Sequence, residues 1–237
     1  MFGGRIEFFT TEDLPATIGL VIDSSGSMRG KRQQITAAAM AFAALSHPLD
    51  ELFTVNFNEA VWLGLPRALG FTADRDQLRA ALADAPAEGL SAVYDAVDRA
   101  LAHVEHGTRD RKALIVVSDG GDNASTRSLD EVVQHARRST AIVYAVTLFD
   151  PDDHDARPRI LKRLARETGG EVFTPRRLSD VGLSFEQIAR ELRSGYTIGI
   201  QPPEMADGGF RAIRVVVDAG DGRRLVARTR AGYYAGR

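Results

Sequence analysis

The sequence predicts a doubly wound α/β domain: a mostly parallel β-sheet with helices on both faces, and a β-meander added at the C-terminal end. Residues 17–22 and 113–117 are almost continuously apolar, as in parallel strands that are buried on both faces. Between them, one helix is indicated by apolar residues at i, i+3, i+4, i+7, i+8 and i+11: Val93, Ala96, Val97, Ala100, Leu101 and Val104. After Gly195, strand-like stretches follow one another without helices. We therefore predict an α/β body at residues 1–194 and a β extension at 195–237, packed as one domain.

The first half of the chain is predicted to alternate strands with helices. The elements, in order, are an edge strand at 5–9, a strand at 17–22, a helix at 30–46, strands at 51–57 and 61–65, a helix at 74–85 and a helix that starts at Ser91. His47-Pro48 ends the first helix, because the residue before a proline disfavours helical backbone. Asn58-Glu59 is typical of a tight turn, so the strand at 61–65 should be antiparallel to its predecessor.

The second half continues the alternation and then changes character. The elements are a strand at 113–117, a helix at 129–138, a strand at 141–149, a helix at 158–167, a strand at 171–174, a helix at 180–193 and strands at 196–201, 211–218 and 223–229. Gly169-Gly170 is a plausible helix C-cap. Two glycine-rich turns, 207–209 and 220–222, separate the last strands, which predicts the meander.

Composition excludes several classes of protein. The chain has 237 residues and a net charge of −2, which argues against a mainly electrostatic role on nucleic acid or a membrane surface. It has no cysteine, so disulfides and thiolate metal sites are excluded. No stretch is apolar enough to span a bilayer, and the first residues lack the organisation of a signal peptide. The chain opens almost at its first strand, which is compatible with a piece of a longer protein.

A polar loop follows the first buried strand. Asp23, Ser25 and Ser27 are two residues apart each time, so in an extended loop their side chains point to one side. All three offer oxygen, which suits Mg²⁺, Mn²⁺ or Ca²⁺ better than zinc or copper. Ligands of open α/β sheets bind at this end of the strands. The alternative is that the serines only form a turn and cap the next helix.

Two further loops should reach the same edge of the sheet. Ser91 stands at the start of the amphipathic helix, and Asp119 directly follows the strand at 113–117, with Asp122 close by. Two carboxylates and three hydroxyls from three loops form a sensible octahedral Mg²⁺ site with room for an outside ligand. The three loops together therefore favour a metal site much more strongly than the first loop alone.

These residues resemble the metal-ion-dependent adhesion site (MIDAS) of the von Willebrand factor A (vWA) domain, in which Asp-x-Ser-x-Ser is joined by a distant Thr and a distant Asp. Asp23, Ser25, Ser27 and Asp119 match, whereas Ser91 stands where the family usually has Thr. Residues 14–28, 112–123, 161–170 and 231–235 are similar to a bacterial subgroup that is best populated in acidobacteria. The resemblance covers about residues 17–234 and implies a Rossmann-like fold. Members of that subgroup usually carry an export signal, which suggests an exported or periplasmic parent protein.

The resemblance also implies the ligand set and the kind of partner. Ser25, Ser27 and Ser91 would bind Mg²⁺ directly, and Asp23 and Asp119 partly through water. A carboxylate of a partner protein, from Asp or Glu, would complete the coordination. We therefore expect a metal-dependent protein-binding module and no enzyme. The alternative is a regulatory or scaffolding subunit of a larger complex, for example with an AAA+ ATPase of the magnesium-chelatase type.

Other chemistries are weaker. A phosphohydrolase with Asp23 as nucleophile would want a second Asp two residues on, where this chain has Ser25. His103 and His106 are spaced for a transition metal but are more typical of an exposed helix end. The acidic residues at 150–155 could form a second cation site or a specificity loop, although a solvated loop is the simpler interpretation. The arginines at 158–166 and 176–177 are interpreted as a solvated basic face.

Overall fold

The computed structural model describes residues 5–10, 13–83, 87–148, 158–201, 208–217, 220 and 225–235. Ten strands are found among them: β1 Arg5–Thr10, β2 Ala16–Asp23, β3 Glu51–Phe57, β4 Val61–Leu63, β5 Arg111–Ser118, β6 Ile142–Thr147, β7 Val172–Phe173, β8 Thr197–Gln201, β9 Phe210–Ala212 and β10 Gly232–Tyr234. Six of them form the central sheet, in the order β4-β3-β2-β5-β6-β7. All neighbours in this sheet are parallel except β3 and β4, which form the predicted antiparallel hairpin.

Helices cover both faces of the central sheet. Their bounds are α1 Arg32–Leu45, α2 Arg75–Ala83, α3 Val93–Val104, α4 Leu129–Arg138, α5 Pro158–Thr168 and α6 Val181–Ser194. One apolar core joins the sheet to α1 and α6, and a second joins it to α3, α4 and α5. This arrangement confirms the predicted doubly wound α/β fold.

Strand β5 shows how one segment serves both cores. Ala113, Ile115 and Val117 lie in the core with α1 and α6, whereas Leu114 and Val116 lie in the core with α3, α4 and α5. All five are fully buried, because successive side chains of a strand point to opposite faces of the sheet. This two-sided burial explains why the segment is apolar without alternation.

The predicted β-meander is wrong. Strand β8 pairs with β1 in a separate antiparallel two-stranded sheet, so β1 is also not an edge of the central sheet. Strand β9 pairs with β10, and residues 213–217 and 225–229 are not in strands. Val216 and Val226 are 77% and 86% exposed. Because strand propensity reflects packing on a half-buried sheet, β-branched residues without such a face do not suffice to form a strand.

Several boundaries also differ from the sequence predictions. Residues Gly26–Lys31 form a 3₁₀ segment, and α1 begins only at Arg32. Helix α3 begins at Val93 with Ala92 as its N-cap, so Ser91 lies one residue before the cap. Within the part of the chain that the structure describes, no helix has the length and apolar character needed to cross a membrane.

Candidate metal centre

The parallel pairing of β2 and β5 places two carboxylates at one edge of the sheet. Ile22 of β2 is in register with Val117 of β5, so Asp23 at the end of one strand lies beside Ser118 at the end of the other. Asp119 directly follows Ser118 in the chain. The carboxyl ends of the two strands therefore deliver both predicted carboxylates to the same place.

The Asp23 carboxylate is fully buried, with 0% exposure. One oxygen accepts a hydrogen bond from the Ser25 amide at 2.9 Å, and the other accepts one from the Ser118 hydroxyl at 2.6 Å. Burial raises the pKa of Asp23 to about 6, and the negative charge of Asp119 adds to the rise, while these hydrogen bonds oppose it. Asp23 is thus a buried acid to which, in the part of the chain that the structure describes, only neutral groups donate hydrogen bonds.

Hydroxyl groups link the loop that follows Asp23 to Asp119. The Ser25 and Ser27 hydroxyls lie 3.2 Å apart, and the Ser27 hydroxyl donates to Asp119 Oδ2 at 2.6 Å. The other carboxylate oxygen of Asp119 accepts a hydrogen bond from the Gly121 amide at 2.9 Å. Asp119 as a whole is 4% exposed. Ser27 is exposed. Four of the five predicted ligands therefore form one connected group that opens to solvent at Ser27.

Ser91 reaches this group through its main chain. Its amide donates to Asn123 Oδ1 at 2.8 Å, and its carbonyl accepts from the Asn123 and Ala124 amides at 3.0 and 3.2 Å. On its other side, Gly89 O accepts from the Gly26 amide at 3.1 Å. The Ser91 loop is therefore bonded to both other loops. No hydrogen bond among the described residues joins the Ser91 hydroxyl itself to the other four predicted ligands.

Sequence reasoning missed several members of the site. Ser118 was not singled out, although it directly precedes Asp119, and Asn123 carries no motif signal of its own. The hydroxyl of Ser24 is buried and has no hydrogen-bond partner among the described residues. Asp122, which is near in sequence, instead accepts from the Tyr94 amide at 3.1 Å and the Ser125 hydroxyl at 2.6 Å. It therefore holds the start of α3 in place.

Charge compensation at the site is incomplete. Within the described ranges, neither Asp23 nor Asp119 forms an ion pair with a lysine, arginine or histidine. No group of three or more His, Cys, Asp or Glu side chains placed to hold a metal was found there either. A metal would thus depend on two carboxylates and several hydroxyls. This all-oxygen set fits a hard divalent cation such as Mg²⁺.

Two other candidates from the sequence, the histidines and the arginines, form no site among the described residues. His103 Nε2 lies 2.8 Å from Gly70 O. The centroid of its ring lies 4.6 Å from that of Phe53 and 4.9 Å from that of Phe71, so this histidine belongs to an aromatic cluster. Arg163 and Arg166 pair with Asp130 and Glu167, as expected of a solvated helix face. The acidic residues at 150–155 lie outside the described residues.

Comparison with protein families agrees with the fold. The family model of the von Willebrand factor type A domain matches residues 18–121 of the 237. This range includes all five predicted ligands and ends within the loop that carries Asp119. Together with the architecture of the sheet, the match supports a vWA domain. No curated protein matches the sequence.

Solved structures share this fold at low sequence identity. A von Willebrand factor type A protein from Catenulispora acidiphila is 20% identical over 76% of this chain and 43% of its own, with a TM-score of 0.65. The vWF domain of the type V pili tip protein Mfa5 from Porphyromonas gingivalis is 14% identical over 82% and 99%, with a TM-score of 0.64. The minor pilin PilB from Streptococcus sanguinis is 10% identical over 78% and 63%, with a TM-score of 0.62. The chain spans less than half the length of the Catenulispora protein.

Proposed function

We propose that this chain is a divalent-metal-dependent protein-binding module. Mg²⁺, or Mn²⁺ or Ca²⁺ in its place, would be held by Asp23, Ser25, Ser27, Ser91 and Asp119, and an Asp or Glu of a partner protein would complete the site. One observation carries the proposal: Asp23 and Asp119 are buried side by side, joined through hydroxyls, and have no cationic partner among the described residues.

The physical argument concerns charge. A buried carboxylate is costly unless a positive charge or several donors compensate it. Two such groups within Coulombic reach of each other repel. A divalent cation bound between the loops would attract both carboxylates and so outweigh their mutual repulsion. An ion held by two carboxylates and neutral hydroxyls keeps room for a further ligand, and a carboxylate from another surface is the ligand that its charge favours.

The burial of Asp23 also supports a non-catalytic role. A nucleophilic carboxylate must touch its substrate, whereas Asp23 is fully buried and both of its oxygens accept hydrogen bonds. We therefore propose that the chain does not turn over phosphoesters. Steady hydrolysis of a generic phosphoester in Mg²⁺, lost in Asp119→Ala, would contradict this part of the proposal.

The structural neighbours favour binding to other proteins. Two of them are described as a pilus tip protein and a minor pilin. These names support a module that works in adhesion or assembly, and an exported parent protein would be consistent with them. The regulatory-subunit alternative predicts a stable stoichiometric partner on co-purification, whereas a reversible adhesive module does not.

Selection from a displayed library of random peptides tests partner recognition. With wild-type protein in Mg²⁺, we expect the enriched peptides to share an Asp or Glu, because the metal provides the attraction. Chelator should abolish the enrichment, and the Asp119→Ala variant should give none. Enrichment that survives both chelation and Asp119→Ala would contradict metal-dependent recognition.

A further inference from the structure

We infer that Glu59 is a positioning residue of the metal centre, which holds the Ser91 loop where the Ser91 hydroxyl can join the other ligands. The inference rests on the proposed function, since it concerns the same site. Glu59 is exposed in the predicted turn between β3 and β4 and lies outside the Asp-x-Ser-x-Ser motif and the other predicted ligands.

The contact is made by the Glu59 carboxylate. Its Oε2 accepts a hydrogen bond from the Leu90 amide at 2.9 Å, one residue before Ser91. Gly89 has φ +81°, and a Cβ built there would lie 1.7 Å from the same oxygen. The carboxylate thus occupies the space that any side chain at position 89 would need. Glycine at position 89 therefore suits both the positive φ of the loop and the place that the Glu59 carboxylate occupies.

The same turn also holds the residue on the other side of Ser91. Asn58 O accepts from the Ala92 amide at 2.8 Å. The turn itself is fixed, because Asn58 Oδ1 accepts from the Ala60 amide at 2.9 Å. Leu90 and Ala92 are therefore tied to one hairpin, while Asn123 binds the main chain of Ser91 between them.

This arrangement matters because Ser91 depends on its backbone for its position. Ser25, Ser27 and Asp119 hold one another through their side chains, whereas Ser91 has no such contact with them among the described residues. Residues that orient metal ligands from outside the coordination sphere commonly change metal affinity by about 10- to 100-fold. Of the groups that anchor Ser91, Glu59 is an exposed side chain that can be changed without opening the core.

The experiment compares Glu59→Ala with Glu59→Gln and Glu88→Ala. Glutamine keeps an oxygen that can accept from the Leu90 amide. Glu88 is an exposed acid on the same loop, and no hydrogen bond of its side chain to a described residue was found, so its loss tests charge alone. We expect Glu59→Ala to weaken Mg²⁺ binding by about 10- to 100-fold. Glu59→Gln should restore most of the affinity, and Glu88→Ala should have a small effect because exposed charges are screened.

A second readout needs no metal. In chelator, hydrogen exchange of the Leu90 amide should be much faster in Glu59→Ala than in wild type and near wild type in Glu59→Gln, while the thermal midpoint changes little. Equal Mg²⁺ loss in Glu59→Ala and Glu88→Ala, or unchanged Leu90 exchange, would overturn the inference and leave the metal site standing. A wild-type protein that binds no Mg²⁺ but shows the expected exchange would instead contradict the proposed function.

Discussion

The two ends of the central sheet bury carboxylates in opposite ways. At the amino end, Asp50 is 3% exposed, accepts from the Ala16 and His47 amides at 2.7 and 2.8 Å, and forms an ion pair with Arg193. At the carboxyl end, Asp23 and Asp119 are similarly buried, yet among the described residues only amides and hydroxyls donate to them. Asp50 thus has a cationic partner within the fold, whereas no cationic side chain among the described residues pairs with Asp23 or Asp119.

This difference separates an acid that is compensated within the fold from the acids to which our proposal assigns a metal. Both Asp50 and Asp23 follow the general rule that buried polar groups are hydrogen-bonded. The hydrogen bonds to Asp23 only partly offset the effect of burial, which raises the pKa of this carboxyl group to about 6. The lack of a cationic partner among the described residues, more than the presence of acids, distinguishes the candidate metal centre from an ordinary buried acid.

The largest effect is expected when the cation of the amino end is removed. Arg193→Met should lower the free energy of unfolding by about 3–5 kcal/mol, because it leaves Asp50 buried without its partner. Denaturant unfolding measures the change, and Mg²⁺ should not reverse it. Arg190→Met, on the exposed side of the same helix, is the control and should cost less than about 1 kcal/mol. Similar losses in both variants would erase the distinction between the two ends.

The two ends should also respond to acid with opposite sign. The folded-state pKa of Asp23 lies above its unfolded value of 3.8, so in chelator its ionisation destabilises the fold by about 3 kcal/mol above pH 6, and this penalty disappears toward pH 4. At the amino end, burial raises the pKa of Glu51, but hydrogen bonds from Thr108 and Thr17 and the charge of Arg109 lower it overall. Its contribution to stability is therefore present above about pH 4.5 and lost below.

Two neutral variants measure these responses in chelator. Asp23→Asn should be more stable than wild type at pH 7 and equal to it near pH 4. Glu51→Gln should be less stable at pH 7, and its deficit should shrink below pH 4.5. Parallel pH profiles for the two variants would contradict the opposite treatment of the two ends.

The smallest effect concerns Ser91, which stands where the vWA family usually has Thr. Ser91→Thr should keep or tighten Mg²⁺ binding, because it retains the hydroxyl and adds only a methyl group. Ser91→Ala should weaken binding by at least about 10-fold, since it removes an oxygen that the proposal places on the metal. Calorimetric titration with Mg²⁺ measures both. Equal affinities of wild type and Ser91→Ala would remove Ser91 from the ligand set.

Local pattern predicted the strands, the helices and the loops of the site. Apolar runs place β2 and β5, and parallel pairing then brings Asp23 and Asp119 together. The contacts that position Ser91 could not be predicted, because Glu59 and Asn123 act across 31 and 32 residues and neither is one of the predicted metal ligands. The pairing of β1 with β8 was missed for a similar reason. Strand-like composition at 211–229 indicated a meander, whereas partners distant in the chain decide which strands form.

Thermal unfolding in chelator and in millimolar Mg²⁺ tests the central claim most directly, with wild type, Asp119→Ala and Asp122→Asn side by side. A ligand at about 100 times its dissociation constant adds about 2.7 kcal/mol of stability. We expect Mg²⁺ to stabilise wild type and Asp122→Asn, in which the nearby acid that holds α3 is neutralised. Asp119→Ala should fold and show no response to Mg²⁺. Equal stabilisation of wild type and Asp119→Ala, or no stabilisation of wild type, would contradict a metal centre at this end of the sheet.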